Sequence, residues 1–222
     1  IRLRGRGVIR VSDIGVAAAG IPGGSAFAGS RAGLAVGELL NNIWEPVVVE
    51  RIDAKVAVAF RRDTVRLRGA ELLESVVDPG RPVRVRLLLK PYQGPETTVV
   101  VPVELDPILA GKDVELEIAP GWSVVPETAS PESLDQLVAN LQVPTLPPKS
   151  FVVQYKHPEQ GIASSGKVAA RLPAFALDAL RPSSSTTQPE PFQVYVRQTV
   201  PVSGYAEGGS RLRVTVRPLP KQ

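Results

Sequence analysis

Between Glu50 and Ile118 the chain repeats one pattern, an apolar residue at every second position. It runs through Ile52, Ala54, Val56, Val58 and Phe60, then through Val83, Val85, Leu87 and Leu89. It resumes in Val99, Val101, Val103 and Leu105, and again in Val114, Leu116 and Ile118. A strand sends successive side chains to opposite faces, so a period of two marks half-buried strands; a helix would need apolar residues three and four apart. One apolar and one polar face per strand is the pattern of an antiparallel sheet covered on one side.

The punctuation between these runs is that of short turns. Val77-Asp78-Pro79-Gly80 fits a type II turn, with Gly80 at the position that needs positive φ. Tyr92-Gln93-Gly94-Pro95 and Leu109-Ala110-Gly111-Lys112 reverse the chain in the same way. The spacing predicts strands over Val47 to Phe60, Val83 to Lys90, Thr97 to Leu105 and Val114 to Ile118, with a shorter one near Val65 and Leu67. Further strands are expected at residues 1–12, Phe151 to Tyr155, Phe192 to Val200 and Leu212 to Val216. Ser30 is placed to cap a helix carrying Val36, Leu39, Leu40 and Ile43, and Ser130-Pro131 to start one carrying Leu134, Leu137, Val138 and Leu141. A short helix is expected over Leu172 to Leu180, a linker over Val143 to Lys149 and a loop over Pro182 to Pro191. The chain is therefore read as mainly β, an immunoglobulin-like antiparallel β-sandwich with a few short helices. Residues 45–122 form the sandwich, 1–44 an N-terminal strand-helix segment, and 123–222 a C-terminal α+β region packing on it.

The residues that enzymes rely on are scarce. Among 222 residues there is one His, no Cys and no Met. Without Cys there is no disulfide framework and no thiolate metal site. The carboxylates Asp53, Asp63, Asp78, Asp106 and Asp113 are scattered near strand ends, with no run that would converge on calcium. Net charge is +4. Arg66 and Arg68, Arg84 and Arg86, and Arg211 and Arg213 occupy the polar sides of alternating strands. They share those strands with acids and lack interleaved aromatics, so they are read as solvated faces rather than as a nucleic-acid surface. No apolar run is long enough for a membrane-spanning helix. With no Met in the chain, Ile1 is read as an internal boundary, and a preceding domain is expected.

Four segments invite a chemical reading. Gly161-Ile162-Ala163-Ser164-Ser165-Gly166-Lys167 matches the Gly-x4-Gly-Lys part of a phosphate-binding loop. Val168 stands where Ser or Thr would hold magnesium, and Pro173 interrupts the helix such a loop requires, so a surface loop is expected. Ser164 or Ser165 with Lys167 would need burial to act as a dyad. His157 lies in a charged turn without a nucleophile elbow and is read as a surface turn. Gly24-Ser25 and Gly29-Ser30 are read as flexible connection. Trp122 and Tyr92 leave carbohydrate stacking open as an alternative. No catalytic, cofactor-binding or metal-binding residue is assigned.

Several segments taken in order resemble a known family. They are Leu40-Asn41-Asn42, Glu45-Pro46-Val47, Glu50-Arg51-Ile52-Asp53, Val77-Asp78-Pro79-Gly80 and Leu89-Lys90-Pro91-Tyr92-Gln93-Gly94. Val101-Pro102-Val103, Leu134-Asp135-Gln136-Leu137, Leu172-Pro173, Gly204 and Leu212 to Val216 follow. The series resembles the region after the protease domain in bacterial SpoIVB-like (sporulation stage IV B type) serine peptidases. The resemblance implies export from the cytoplasm and a peptidase domain before Ile1. The family's nucleophile segment, Gly-x-Ser-Gly-Ser-Pro-like, is missing here, and Gly23-Gly24-Ser25 does not replace it. The expectation is a non-catalytic, extracytoplasmic protein-interaction or assembly module, acting on a protein partner or on copies of itself through sheet edges. The alternatives are a regulatory or substrate-access part of an active serine peptidase, and a carbohydrate-binding module.

Overall fold

The computed structural model describes residues 1–14, 30–57, 61–164, 167–170 and 190–219. Its main body is a β-sandwich. One sheet has four strands in the order β14-β4-β6-β7: Tyr205–Glu207, Thr64–Leu72, Val83–Pro91 and Thr97–Val103. The other has five in the order β13-β9-β8-β15-β5: Tyr195–Pro201, Ser150–Lys156, Asp113–Pro120, Ser210–Val216 and Val76–Val77. Neighbours are antiparallel except β14 on β4 and β5 on β15, which are parallel. The sheets are thus mixed where a purely antiparallel pairing was expected.

The alternating residues meet between the sheets. Val83, Val85, Leu87 and Leu89 of β6 and Val101 and Val103 of β7 face Val114, Leu116 and Ile118 of β8. Phe151 and Val153 of β9 and Val214 and Val216 of β15 complete the layer. Val83, Val85, Leu87, Leu116, Phe151 and Val214 are fully buried. Each such side chain contributes about 1.5–3 kcal/mol relative to exposure.

β4 is longer than its sequence suggests. Leu67 pairs with Leu89 but Gly69 with Leu88, so Arg68 is an extra residue in a bulge. The bulge moves the inward positions from Val65 and Leu67 to Ala70 and Leu72. A strict two-residue count therefore stops at Leu67 while the strand runs on to Leu72.

The expected division at residue 122 is not a packing boundary. β9, β13, β14 and β15 come from beyond it and lie within the two sheets. The physical reason is β8, whose neighbours β9 and β15 both come from the C-terminal half; without them its backbone groups would be bare. A second, smaller core joins the N-terminal segment to an excursion between β8 and β9. There β1 (Arg2–Leu3), β2 (Gly7–Val8) and β3 (Val49–Arg51) form a sheet in the order β2-β1-β3. α1 (Arg31–Leu40) and α2 (Leu134–Leu141) accompany it. Leu3, Ile9, Leu39, Leu134 and Leu137 are its buried residues. Residues 1–12 are a tight hairpin, not one strand, because Gly5 and Gly7 turn the chain at φ 76° and 80°.

α1 starts where expected, the Ser30 hydroxyl accepting from Gly33 N at 3.1 Å. α2 starts three residues later than expected. Ser133 accepts from Gln136 N and the Gln136 side chain accepts from Glu132 N, so this reciprocal cap outcompetes Ser130-Pro131. Arg6 reaches both Glu45 and Asp135, tying the hairpin to α1's exit and to α2. Its hydrogen bond to Glu45, and then the charge of Asp135, raise its pKa above the ordinary guanidinium value. A small sheet in the order β11-β10-β12 (Lys167–Ala169, Gly161–Ser164, Glu190–Phe192) completes the described architecture. The expected helix over 172–180 and the loop over 182–189 lie outside the described residues.

The excursion returns through a close crossing. Gly121 opens a 3₁₀ turn (Gly121–Ser123), and a Cβ there would stand 2.1 Å from the Pro147 carbonyl oxygen and 2.6 Å from Ser150 Oγ. That carbonyl is held by a 2.6 Å hydrogen bond from the same hydroxyl, so it has little room to retreat. Gly121→Ala is expected to destabilise the fold by about 1–3 kcal/mol or more, read as a lowered urea midpoint.

Candidate functional site

His157 follows β9 directly and is 2% exposed, not on the surface turn that its charged neighbours suggest. Its Nδ1 lies 3.2 Å from the Glu159 backbone nitrogen and 3.3 Å from the Glu159 carbonyl oxygen. Its Nε2 lies 3.1 Å from Asp106 Oδ2. The other Asp106 oxygen accepts from Ile108 N and caps the turn Pro107–Leu109. Beside it the Tyr155 hydroxyl donates to Glu104 O and accepts from Asp106 N, both at 3.2 Å. A general base needs a free nitrogen facing a nucleophile. Here both nitrogens are engaged, and among the described residues no hydroxyl is bonded to either. The cluster pins the β7–β8 connection onto the end of β9. No spacing rule could have shown this pairing, since 51 residues separate its two members.

Gly161–Ser164 and Lys167–Ala169 form two paired strands where a surface loop was expected. β10 and β11 are antiparallel, with Ser164 opposite Lys167. Gly161 is required by packing: a Cβ would lie 2.4 Å from the Ala169 carbonyl oxygen. Lys167 opens the strand β11 rather than the helix that phosphate binding requires. Residues 165–166 lie outside the described residues. Trp122 Nε1 donates to Ala206 O at 2.7 Å, and the Arg62 guanidinium sits 4.6 Å over the Tyr92 ring. Each aromatic is thus engaged within the chain.

The outward arginines are largely paired with acids. Arg66 meets Glu207, Arg84 meets Glu74, Arg86 meets Glu71 at 2.6 Å, and Arg211 approaches Glu115 and Glu117. On the five-stranded sheet the Gln154 amide donates to Glu117 and accepts from Arg197, which also holds Glu127. Such exposed pairs are worth little each, about 0–1 kcal/mol, but they order the faces. Among the described residues no group of three or more His, Cys, Asp or Glu could hold a metal ion, and no helix is long and apolar enough to cross a membrane.

What remains open is an edge. The sandwich edges β5 and β14 are short, and β7 and β13 carry Pro102 and Pro201, which cannot donate to an added strand. β12 carries Pro191 in the same way. The chain leaving β3 differs. It was expected to form one long strand to Phe60, yet strand pairing among the described residues stops at Arg51. Residues 52–57 are all exposed, and residues 58–60 lie outside the described residues. Val48, Ile52 and Val56 are 45%, 42% and 76% exposed, with no proline from 47 to 57. Between them Arg51 and Asp53 form an exposed ion pair at 2.6 Å. No family model matches the chain, and neither a curated protein nor a solved structure matches it.

Two measurements probe these clusters. Tyr155→Phe is expected to cost about 1 kcal/mol of unfolding free energy, because a part-buried carbonyl and amide lose this hydroxyl. At the four-stranded sheet, the hydrogen bond from Lys149 Nζ at 2.8 Å, with the charges of Lys149 and Arg61, holds the Asp63 carboxyl below the usual carboxylate range. Its folded pKa is therefore below its unfolded one. The stabilisation is complete above the unfolded value, near ~3.9, and lost as pH falls through the folded value. Asp63→Asn should lower the melting temperature at neutral pH, with the gap to the parent closing in strong acid.

Proposed function

We propose that the chain is a non-catalytic protein-interaction or assembly module that works by adding a strand to an exposed edge. The observation carrying this reading is the exposed segment 52–57, which leaves β3 without a strand partner among the described residues, in a molecule whose other described edges are short or carry proline. Strand addition supplies main-chain hydrogen bonds for affinity and alternate side chains for specificity, and 52–57 offers both. The chemistry of the interior supports the same view: the one His and its carboxylate are spent on a loop anchor.

The resemblance to the accessory region of SpoIVB-like peptidases adds a setting to this proposal, outside the cytoplasm and beside a peptidase domain. There the module would contribute a docking edge and no reacting group.

A photoreactive side chain at position 56, introduced in the native host, is expected to cross-link to protein, while the same probe at Arg213 on the charged sheet face is not. Equal labelling at both positions, or none at 56, would remove the basis for strand addition. Purified chain is expected to hydrolyse no peptide or ester substrate. Turnover lost on changing His157 to Gln would overturn the non-catalytic reading.

A further inference from the structure

We infer that the outer face of the four-stranded sheet, at the end where β4 begins, binds an acidic segment of another protein. This surface is separate from residues 52–57. Neighbouring strands bring its side chains together. Tyr205 of β14 pairs with Thr64 of β4, and Tyr92, just past β6, donates its backbone N–H to Thr64 O at 3.0 Å. One step along the sheet, Arg66 has Lys90 opposite it on β6 and Glu207 beside it on β14. Arg68 follows, exposed in the bulge. The Arg62 guanidinium lies 4.6 Å over the Tyr92 ring, and Lys149 Nζ lies 5.2 Å over the Tyr205 ring. The negative face of an aromatic ring attracts a cation, so both heads are held against the sheet.

Charge is spread unevenly over this face. At its β4 end six cations, Arg61, Arg62, Arg66, Arg68, Lys90 and Lys149, gather round three acids, Asp63, Glu96 and Glu207. That excess of three charges compares with a net charge of +4 for the whole chain. Lys149 already holds Asp63 at 2.8 Å, and Arg66 holds Glu207 at 3.4 Å. Arg62, Arg68 and Lys90 make no ion pair among the described residues, whereas at the far end Arg84 meets Glu74 and Arg86 meets Glu71. Like charges directly across a strand pair are destabilising, so Arg66 against Lys90 gains the isolated sheet nothing. A carboxylate placed between them reverses that sign, and guanidinium groups donate to carboxylates in parallel pairs of hydrogen bonds. Gly69, opposite the half-buried Leu88, has open space where a side chain would stand, so an apolar floor lies beside Arg68. An extended segment repeats its side chains on one face about every 6.6–6.8 Å, the same step as the rows of this sheet. Alternating acids therefore match successive rows of cations. Single-stranded nucleic acid needs open ring faces for its bases, and here a cation of the same chain occupies a face of each ring, which favours a peptide.

The probe is a fluorescently labelled peptide of alternating glutamate and leucine, added to the full 222-residue chain at low ionic strength and read by anisotropy. The peptide should bind, and added salt should weaken it. Arg68→Glu combined with Lys90→Glu should weaken binding by about tenfold or more. Arg68→Gln alone, a milder change at an exposed position, should weaken it in the same direction. Arg84→Glu combined with Arg86→Glu makes the same change of net charge at the balanced end and should weaken it far less. A parent chain that ignores the peptide, equal losses from the two double variants, or tighter binding of an oligothymidylate of equal charge would each overturn the inference. The strand-addition reading is decided separately, by cross-linking at position 56.

Discussion

β8 carries the architecture because it lies in the middle of the five-stranded sheet and both of its edges must be hydrogen-bonded. β9 pairs along one side and β15 along the other, with Ile118 opposite both Val153 and Ser210. Both partners arrive from the C-terminal half, after an excursion that builds the second core. The sandwich therefore cannot close until the whole chain from β4 to β15 is present. Its fully buried residues, Leu116 and Phe151 among them, are shared between the two halves.

The same requirement explains where polar groups go. Buried side-chain nitrogens and oxygens among the described residues all have partners. Gln154 is spent on Glu117 and Arg197, Tyr155 on the β7–β8 connection, and His157 on Asp106 and Glu159. In a low-dielectric interior an unpaired polar group is costly, so satisfied clusters of this kind anchor loops. A histidine with both nitrogens engaged is a different object from one held ready beside a nucleophile. The contrast with residues 52–57 is physical: there every residue is exposed and none is assigned to a strand.

Much of the sandwich was legible in the sequence. The alternation in Val83 to Leu89 and in Val114 to Ile118 translated into β6 and β8, and Gly80 turns at φ 75° as its Pro-Gly step suggested. Other elements were not legible, each for a reason. The bulge at Arg68 reversed the inward parity in β4, so its second half looked unpatterned. β10, β11 and β14 are too short for a periodicity to form. His157 sits among charged residues whose sequence texture says surface, but its partner Asp106 is brought by a different sheet. The open segment was legible as strand chemistry and illegible as exposed, since Ile52 and Val56 alternate in the same way as the buried residues of β6.

By itself the sequence determined the secondary-structure chemistry: which stretches have one apolar face, where glycine and proline turn the chain, and that no thiol is supplied. Only the tertiary structure decided which strands neighbour which, that strands from beyond residue 122 complete both sheets, and that 52–57 are left without a strand partner among the described residues. Side-chain periodicity is a local property, set by the two-residue repeat of an extended backbone. Pairing is a global one, set by which edges remain free after all the others have been satisfied.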